Sequence, residues 1–371
     1  MDVNAIVDFI LNPFVNLSYW FSEDILLAFM PAEWFWLVGL IMNFAVFVVI
    51  FAYMMVNTLY MTLAERKVIG RMQDRYGPNR VGPFGLFHPF TDMIKMLIKE
   101  DIVPAGADYW VHLLAAVLVV FPGLMAMAVI PFGKGMQGMD LDIGVLYILA
   151  LSGLTTISLL MSGWGSRNKY AMLSGFRTAA QMIAYEVPLV LAAIPAIMLS
   201  GSMALNVVVE DQAWGTHHPV WWFFSFVMRL AAFVVFFISG VATAKRSPFD
   251  IPEADSEIVA GFFIEYSGLK FGMFFLSEYF GLMAISTLAT VLFLGGWQGP
   301  FVDTIPVLSV FYFFLKVYAL FFIFMWFRGT LPRLRIDQLM AFSWKRLLPL
   351  ALALIFLTGV GMVVLQGLGW A

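Results

Sequence analysis

The chain of 371 residues contains no cysteine. That excludes disulfides, and it excludes an iron–sulfur cluster held by thiolates of this chain. Charge is scarce too: Asp, Glu, Lys and Arg make up 12% of the residues, and no polar block is long enough to build a separate soluble domain. No Lys or Arg precedes Arg66, so the basic start of a secretory signal and the arginines of a transit peptide are both missing. No P-loop, G-x-S-x-G or H-E-x-x-H pattern occurs. The run from Gly133 to Gly138 matches G-x-G-x-x-G, but it lies in a short loop without a preceding strand and is not a dinucleotide site. His217 and His218 have no ligand-type spacing around them and read as a loop at headgroup level, so no metal site is expected.

What remains is apolar. Hydrophobic residues reach 62% and aromatics 17%, with a mean hydropathy of +0.89. This composition predicts an all-α polytopic membrane protein, one membrane domain over residues 1–371. Eight stretches are long enough to cross a bilayer, near 33–60, 110–131, 142–162, 181–201, 219–244, 271–295, 305–327 and 347–368. The first is over-long and is expected to tilt or project beyond the bilayer. Residues 1–32 read as an interfacial segment in preference to a marginal span.

Loop charges set the expected orientation. The loops at 61–109, 163–180, 245–270 and 328–346 carry 7, 3, 3 and 5 Lys/Arg, whereas the alternate loops and both ends carry only Lys134. Both termini are therefore expected on the outer, periplasmic side. After Pro89 in the long 61–109 loop, Phe90, Met93, Ile94, Leu97 and Ile98 share one helical face, with Thr91, Asp92, Lys95 and Lys99 away from it. This is an amphipathic helix that lies on the membrane or packs on a partner subunit.

The remaining charge is placed unevenly. The 245–270 loop holds Asp250, Glu253, Asp255, Glu257 and Glu265, five carboxylates within sixteen residues and no Lys or Arg between Ser247 and Leu269. Asp250, Glu253 and Glu257 would share a helical face behind Pro252. Such crowding raises carboxyl pKa values and makes the group titrate as a unit. The plainer account is a solvated acidic loop. Four further ionisable residues fall inside the spans: Glu186, Arg229, Glu278 and Lys316. Each is costly in hydrocarbon and needs a partner or water, and together they suggest a polar line through the membrane. Pro188 and Pro195 are expected to free backbone groups beside Glu186.

Three stretches then become familiar: LAERKVIGRMQDRYGPNRVGPFG from Leu63, GWGSRNKYAMLSGFRTAAQMIAYEVPL from Gly163, and KRSPFDIPEADSEIVAGFFIEYSGLKFGMFFLSEY from Lys245. They resemble the H subunit (NADH dehydrogenase subunit one) of respiratory complex I, the proton-translocating NADH:quinone oxidoreductase. The resemblance implies the membrane-side part of a quinone chamber and an acidic relay coupling quinone reduction to proton translocation. Carried over by motif, Glu65, Arg66, Arg71, Asp92, Lys95 and Arg177 would line the quinone path. Glu186, Asp250, Glu253, Asp255, Glu257 and Glu265 would form the relay, with Arg229 and Glu278 as weaker candidates. It further implies a quinone substrate, with ubiquinone favoured, and FMN and iron–sulfur clusters in partner subunits. Those partners would be the peripheral quinone-site and iron–sulfur subunits, small membrane subunits and antiporter-like subunits, with no nucleic acid. The implied location is a bacterial inner membrane, and the 250–265 stretch is the expected moving element. Rival readings are the membrane subunit of a complex I-like hydrogenase, a stand-alone ion or solute transporter, and a purely structural anchor.

Overall fold

The computed structural model describes residues 35–213, 218–251, 258–302, 305 and 307–369, with side chains from residue 44 onward. The N-terminal segment 1–32, His217 and the acids Glu253, Asp255 and Glu257 lie outside the described residues. Among the described residues the regular structure is helical, with one isolated bridge between Gly133 and Met136. In chain order the helices are α1 (Phe35–Met72), α2 (His88–Ile98), α3 (Tyr109–Leu118), α4 (Phe121–Val129), α5 (Gly144–Gly165), α6 (Lys169–Ser200), α7 (Leu205–Asp211), α8 (Pro219–Thr243), α9 (Gly268–Phe293), α10 (Val307–Thr330), α11 (Ile336–Phe342) and α12 (Leu348–Gly367). Taken as spans, α3–α4 and α11–α12 each count once, giving eight helical segments long and apolar enough to cross a bilayer.

Prolines explain the two interrupted spans. Pro122 has no N–H for the carbonyl of Leu118 and its ring crowds that turn, so α3 stops at Leu118 and α4 starts at Phe121. Pro349 acts likewise on Lys345, and the chain passes from α11 to α12 through a π turn at Ser343–Leu347. α6 instead runs unbroken through Pro188 and Pro195.

Four spans extend further toward the side richest in Lys and Arg than their apolar runs indicate. α1 continues to Met72 rather than ending near 60, and α6 begins at Lys169 rather than near 181. α10 reaches Thr330 and the last span begins at Ile336. Hydropathy marks where lipid ends, whereas the helix continues as long as backbone bonding and packing support it. At 1.5 Å per residue α1 is ~57 Å long against a hydrocarbon core of ~30 Å. Glu65, Arg66, Arg71, Arg177 and Arg328 therefore stand on helices, not in loops.

α9 is the most enclosed span, with 72% of its apolar window buried, and α1 the least, with 17%. Polar groups on α9 consequently face protein. The amphipathic helix is present as α2, which lays Met96 against Gly272 of α9. Phe90, Ile94, Leu97 and Ile98 remain exposed on its other side.

α5 and α6 approach through glycines. A Cβ on Gly163 would stand 2.7 Å from the Ala171 carbonyl oxygen and 3.1 Å from Cα of Gly175. Small residues permit this backbone proximity in membrane helices. Gly163→Ala is expected to cost about 1–3 kcal/mol through overpacking. Gly153→Ala on the same helix meets nothing within 4 Å and is expected to be neutral or slightly stabilising. Thermal melting of detergent-extracted protein checks the pair; equal effects would contradict the packing account.

Candidate functional site

The site begins where α8 ends. The amide of Lys245 returns to Ala242 O and that of Arg246 to Val241 O, both at 3.2 Å. Lys245 takes the left-handed conformation, φ 55°. This is a Schellman-type stop with lysine where glycine is usual. A non-glycine residue there costs energy, on the order of 1 kcal/mol. The Lys245 ammonium sits 4.9 Å over the Phe262 ring, a cation–π contact that offsets part of this cost. The turn sends the next side chain into the bundle.

That side chain is Arg246, 3% exposed. Its Nη1 donates to Glu65 Oε1 on α1 at 2.9 Å, and its Nε lies 2.8 Å from Glu278 Oε1 on α9. The guanidinium stacks 4.8 Å over Tyr279, whose hydroxyl donates to Glu65 Oε2 at 2.6 Å. Arg328 of α10 also pairs with Glu65 Oε1. Burial opposes the arginine charge, but Glu278 and Glu65 outweigh it and hold Arg246 above its ordinary value. Four elements thus converge on a desolvated charge cluster with two carboxylates and two guanidinium groups. Nη2 of Arg246 remains buried without a hydrogen-bond acceptor among the described residues.

The acidic stretch leaves from this cluster, and both of its ends are anchored. Asp250 receives Arg333 Nη2 on Oδ2 at 3.1 Å, while its Oδ1 is buried without a partner among the described residues. Burial pushes the Asp250 carboxyl above the usual carboxylate range despite the pull of Arg333, Arg246 and Lys245. Gln181 of α6 donates to the carbonyls of Ala242 and Phe249 at 2.9 and 2.8 Å. At the far end Asn168 donates to Glu265 Oε1 at 2.8 Å. Tyr266 stacks on His112 with ring centroids 3.9 Å apart and donates its hydroxyl to the His112 carbonyl.

The other expected residues fall into separate places. Arg66 bridges His88 and Asp92, each at 2.8 Å, with Lys95 3.4 Å from Asp92. This joins α1 to α2 at an exposed surface. Arg71 covers the ring of Tyr76 at 4.9 Å, and Arg177 is half-buried on α6. Glu186 accepts from Thr156 of α5 at 2.9 Å, apart from the Arg246 cluster. Of the expected quinone-path residues, Glu65 belongs to the buried cluster and Arg66, Asp92 and Lys95 to the surface group. Arg229 and Lys316 turn to the opposite side of the bundle: Arg229 pairs with Asp211 of α7, and Lys316 Nζ donates to the Gly296 and Gln298 carbonyls at 2.9 and 2.7 Å. Both cations thus have local partners on that side, although Arg229 Nε is buried without a hydrogen-bond partner among the described residues.

Two crevices border the cluster. One is a narrow seam lined by Met54, Asn57, Thr58, Met61, Tyr279, Met283 and Phe321. The second is lined by Glu65, Arg246, Leu282, Phe321, Phe324, Met325 and Arg328. The first is an apolar slot with an Asn, a Thr and a Tyr hydroxyl; the second ends on charge. Neither has room for a water-sized molecule as it stands; the flexible Met54, Met61 and Met283 side chains of the first are the walls able to re-pack around an apolar ligand.

Residues 44–359 match the family model described as NADH dehydrogenase. The H subunit of NADH-quinone oxidoreductase from Dehalococcoides mccartyi (strain CBDB1) is 46% identical over 317 residues, which is 85% of this chain and 86% of that protein. The protein of the same description from Bacillus cytotoxicus is 48% identical over 303 residues, covering 81% and 88%. Its counterpart from Syntrophotalea carbinolica is 46% identical over 316 residues, covering 82% and 91%.

Arg246→Ala would leave Glu65 and Glu278 buried with their shared cation gone, an expected cost of about 3–5 kcal/mol. Arg66→Ala removes a pair whose arginine side chain is 46% exposed and is expected to cost no more than ~1 kcal/mol. Melting of the extracted protein distinguishes them, and equal losses would contradict the buried cluster.

Proposed function

Because the chain belongs to the family of the NADH-quinone oxidoreductase H subunits, membrane components of the NADH:quinone oxidoreductase complex, we propose that it forms the membrane-side part of the quinone chamber and the start of an acidic proton relay. The observation that carries this reading is the Arg246 cluster, which joins the crevice between α1, α9 and α10 to the acidic stretch beginning at Asp250. Quinone, with ubiquinone favoured, approaches along Met54, Met61 and Met283, while Arg66, Arg71, Asp92, Lys95 and Arg177 flank the path. Reduction of the quinone changes the local field. The charges around Arg246 and Asp250 sense that field, and Asp250, Glu253, Asp255, Glu257, Glu265 and Glu186 carry the proton onward. We propose that the 250–265 stretch is the moving element. Movement of the 250–265 stretch would break the Arg333 contact to Asp250 and the Asn168 contact to Glu265.

Nη2 of Arg246 and Oδ1 of Asp250, without partners among the described residues, support this assignment, since such buried polar atoms are costly and mark places where a further group is expected. The chain works as one membrane domain over residues 1–371 in a bacterial inner membrane, with both termini on the periplasmic side. NADH, FMN and the iron–sulfur clusters belong to peripheral partners, in keeping with the absent cysteines; small membrane subunits and antiporter-like subunits complete the set.

Met283→Trp, introduced into the assembled complex, replaces a flexible wall residue by a rigid ring that opposes re-packing around a ligand. It is expected to lower NADH:quinone activity about tenfold, a barrier of about 1.4 kcal/mol. NADH oxidation by a soluble artificial acceptor should persist. Full quinone activity in that variant would rule the crevice out as the path.

A further inference from the structure

Pro188 leaves a carbonyl without its helical partner. It has no N–H to offer Ala184, four residues earlier on α6. In the dry interior of a membrane protein an orphaned carbonyl is costly, and a neighbouring helix usually supplies a donor. Here the donor is Ser343, whose hydroxyl bonds to the Ala184 carbonyl. Ser343 is fully buried and opens the π turn between α11 and α12. One residue further along α6, the Tyr185 hydroxyl donates to the Leu339 carbonyl of α11 at 2.9 Å. Two hydrogen bonds therefore tie residues 184–185 of α6 to the last span.

The next residue is Glu186. At 3.6 residues per turn it points about 200° away from Ala184 around the helix axis. Its carboxylate accepts from Thr156 of α5 at 2.9 Å, and among the described residues no ion pair includes it. Its position thus depends on how α6 is rotated between α5 on one side and the π turn on the other. A rotation of α6 on the Ser343 side would carry the carboxylate with it relative to the Thr156 hydroxyl. π turns recur at functional positions, since they re-aim a helix face without ending the helix.

We propose that Ser343 is a positioning residue for Glu186: its bond to the Ala184 carbonyl sets the rotation of α6 that seats the Glu186 carboxylate against Thr156. The inference rests on the reading of Glu186 as a relay carboxyl. It treats the bond as a tether between two spans, beyond its use in satisfying a freed carbonyl.

A pair of variants separates tether from satisfaction. Ser343→Ala removes the donor. Adding Pro188→Ala restores an N–H for Ala184 within α6 but does not restore the link to Ser343. NADH-driven proton translocation is followed against pH in the assembled complex reconstituted into vesicles. Ser343→Ala and the double variant are both expected to shift the profile by about half a pH unit or more, while Ser343→Thr, which keeps a hydroxyl, follows the unaltered protein. The double variant keeps the comparison usable if Ser343→Ala alone assembles poorly. A double variant with the unaltered profile would overturn the proposal, because satisfaction of the carbonyl would then be all that matters. Glu186→Gln tests the underlying reading on the same vesicles. If it stops translocation while the Ser343 variants keep the normal profile, only the tether is wrong. If it pumps normally, the relay role of Glu186 falls and the tether proposal with it.

Discussion

A guanidinium group buried among membrane helices has to be neutralised where it lies, and the structure brings three helices together around Arg246. Glu65 comes from the extended end of α1, Glu278 and Tyr279 from the most enclosed helix, and Arg328 from the end of α10. None of these groups could be buried alone, since an isolated charge in low dielectric costs far more than folding can supply. Each helix end is therefore fixed by the others. The left-handed Lys245 that aims Arg246 inward is tolerated for the same reason.

This mutual dependence also makes the cluster suitable for coupling. Its charges sit beside the crevice on one side and lead to Asp250 on the other, so a change in charge at either place alters the field at both. Asp250 illustrates the balance: burial raises its affinity for a proton while Arg333 restrains the effect. The contacts at Gln181, Asn168 and Tyr266 hold the ends of the acidic stretch against α6, the α5–α6 turn and α3. Asp250 and Glu265, both placed in the proposed relay, thus also take part in the anchoring.

Much of this was legible in the sequence, in proportion to how far each feature depends on local pattern. Hydropathy located all eight spans, and the period of 3.6 located α2. It did not locate the basic-side ends of α1, α6 and α10, because there the helices continue outside lipid and composition no longer distinguishes helix from loop. Lys245, Arg246 and Arg328 counted only as loop charges; nothing local distinguishes an arginine that snorkels from one that turns inward. Glu278 stood out as an intramembrane acid, but its partner lies thirty-two residues away across a turn. Arg229 and Lys316 drew attention for the right reason, their cost in hydrocarbon, although their partners lie in the short segments on the opposite side. Pro188 announced a freed carbonyl, and only the three-dimensional arrangement identifies Ser343 as its donor.

Infrared difference spectroscopy of the assembled complex, recorded as bound quinone is reduced, tests the central role of the Arg246 cluster most directly. The unaltered protein and Glu278→Gln would be compared under conditions in which both oxidise NADH with an artificial acceptor. If the cluster responds to quinone chemistry, a carboxyl signal accompanies reduction in the unaltered protein and is lost or displaced in the variant. Identical difference spectra would show that the cluster is a structural ion pair and that coupling runs elsewhere.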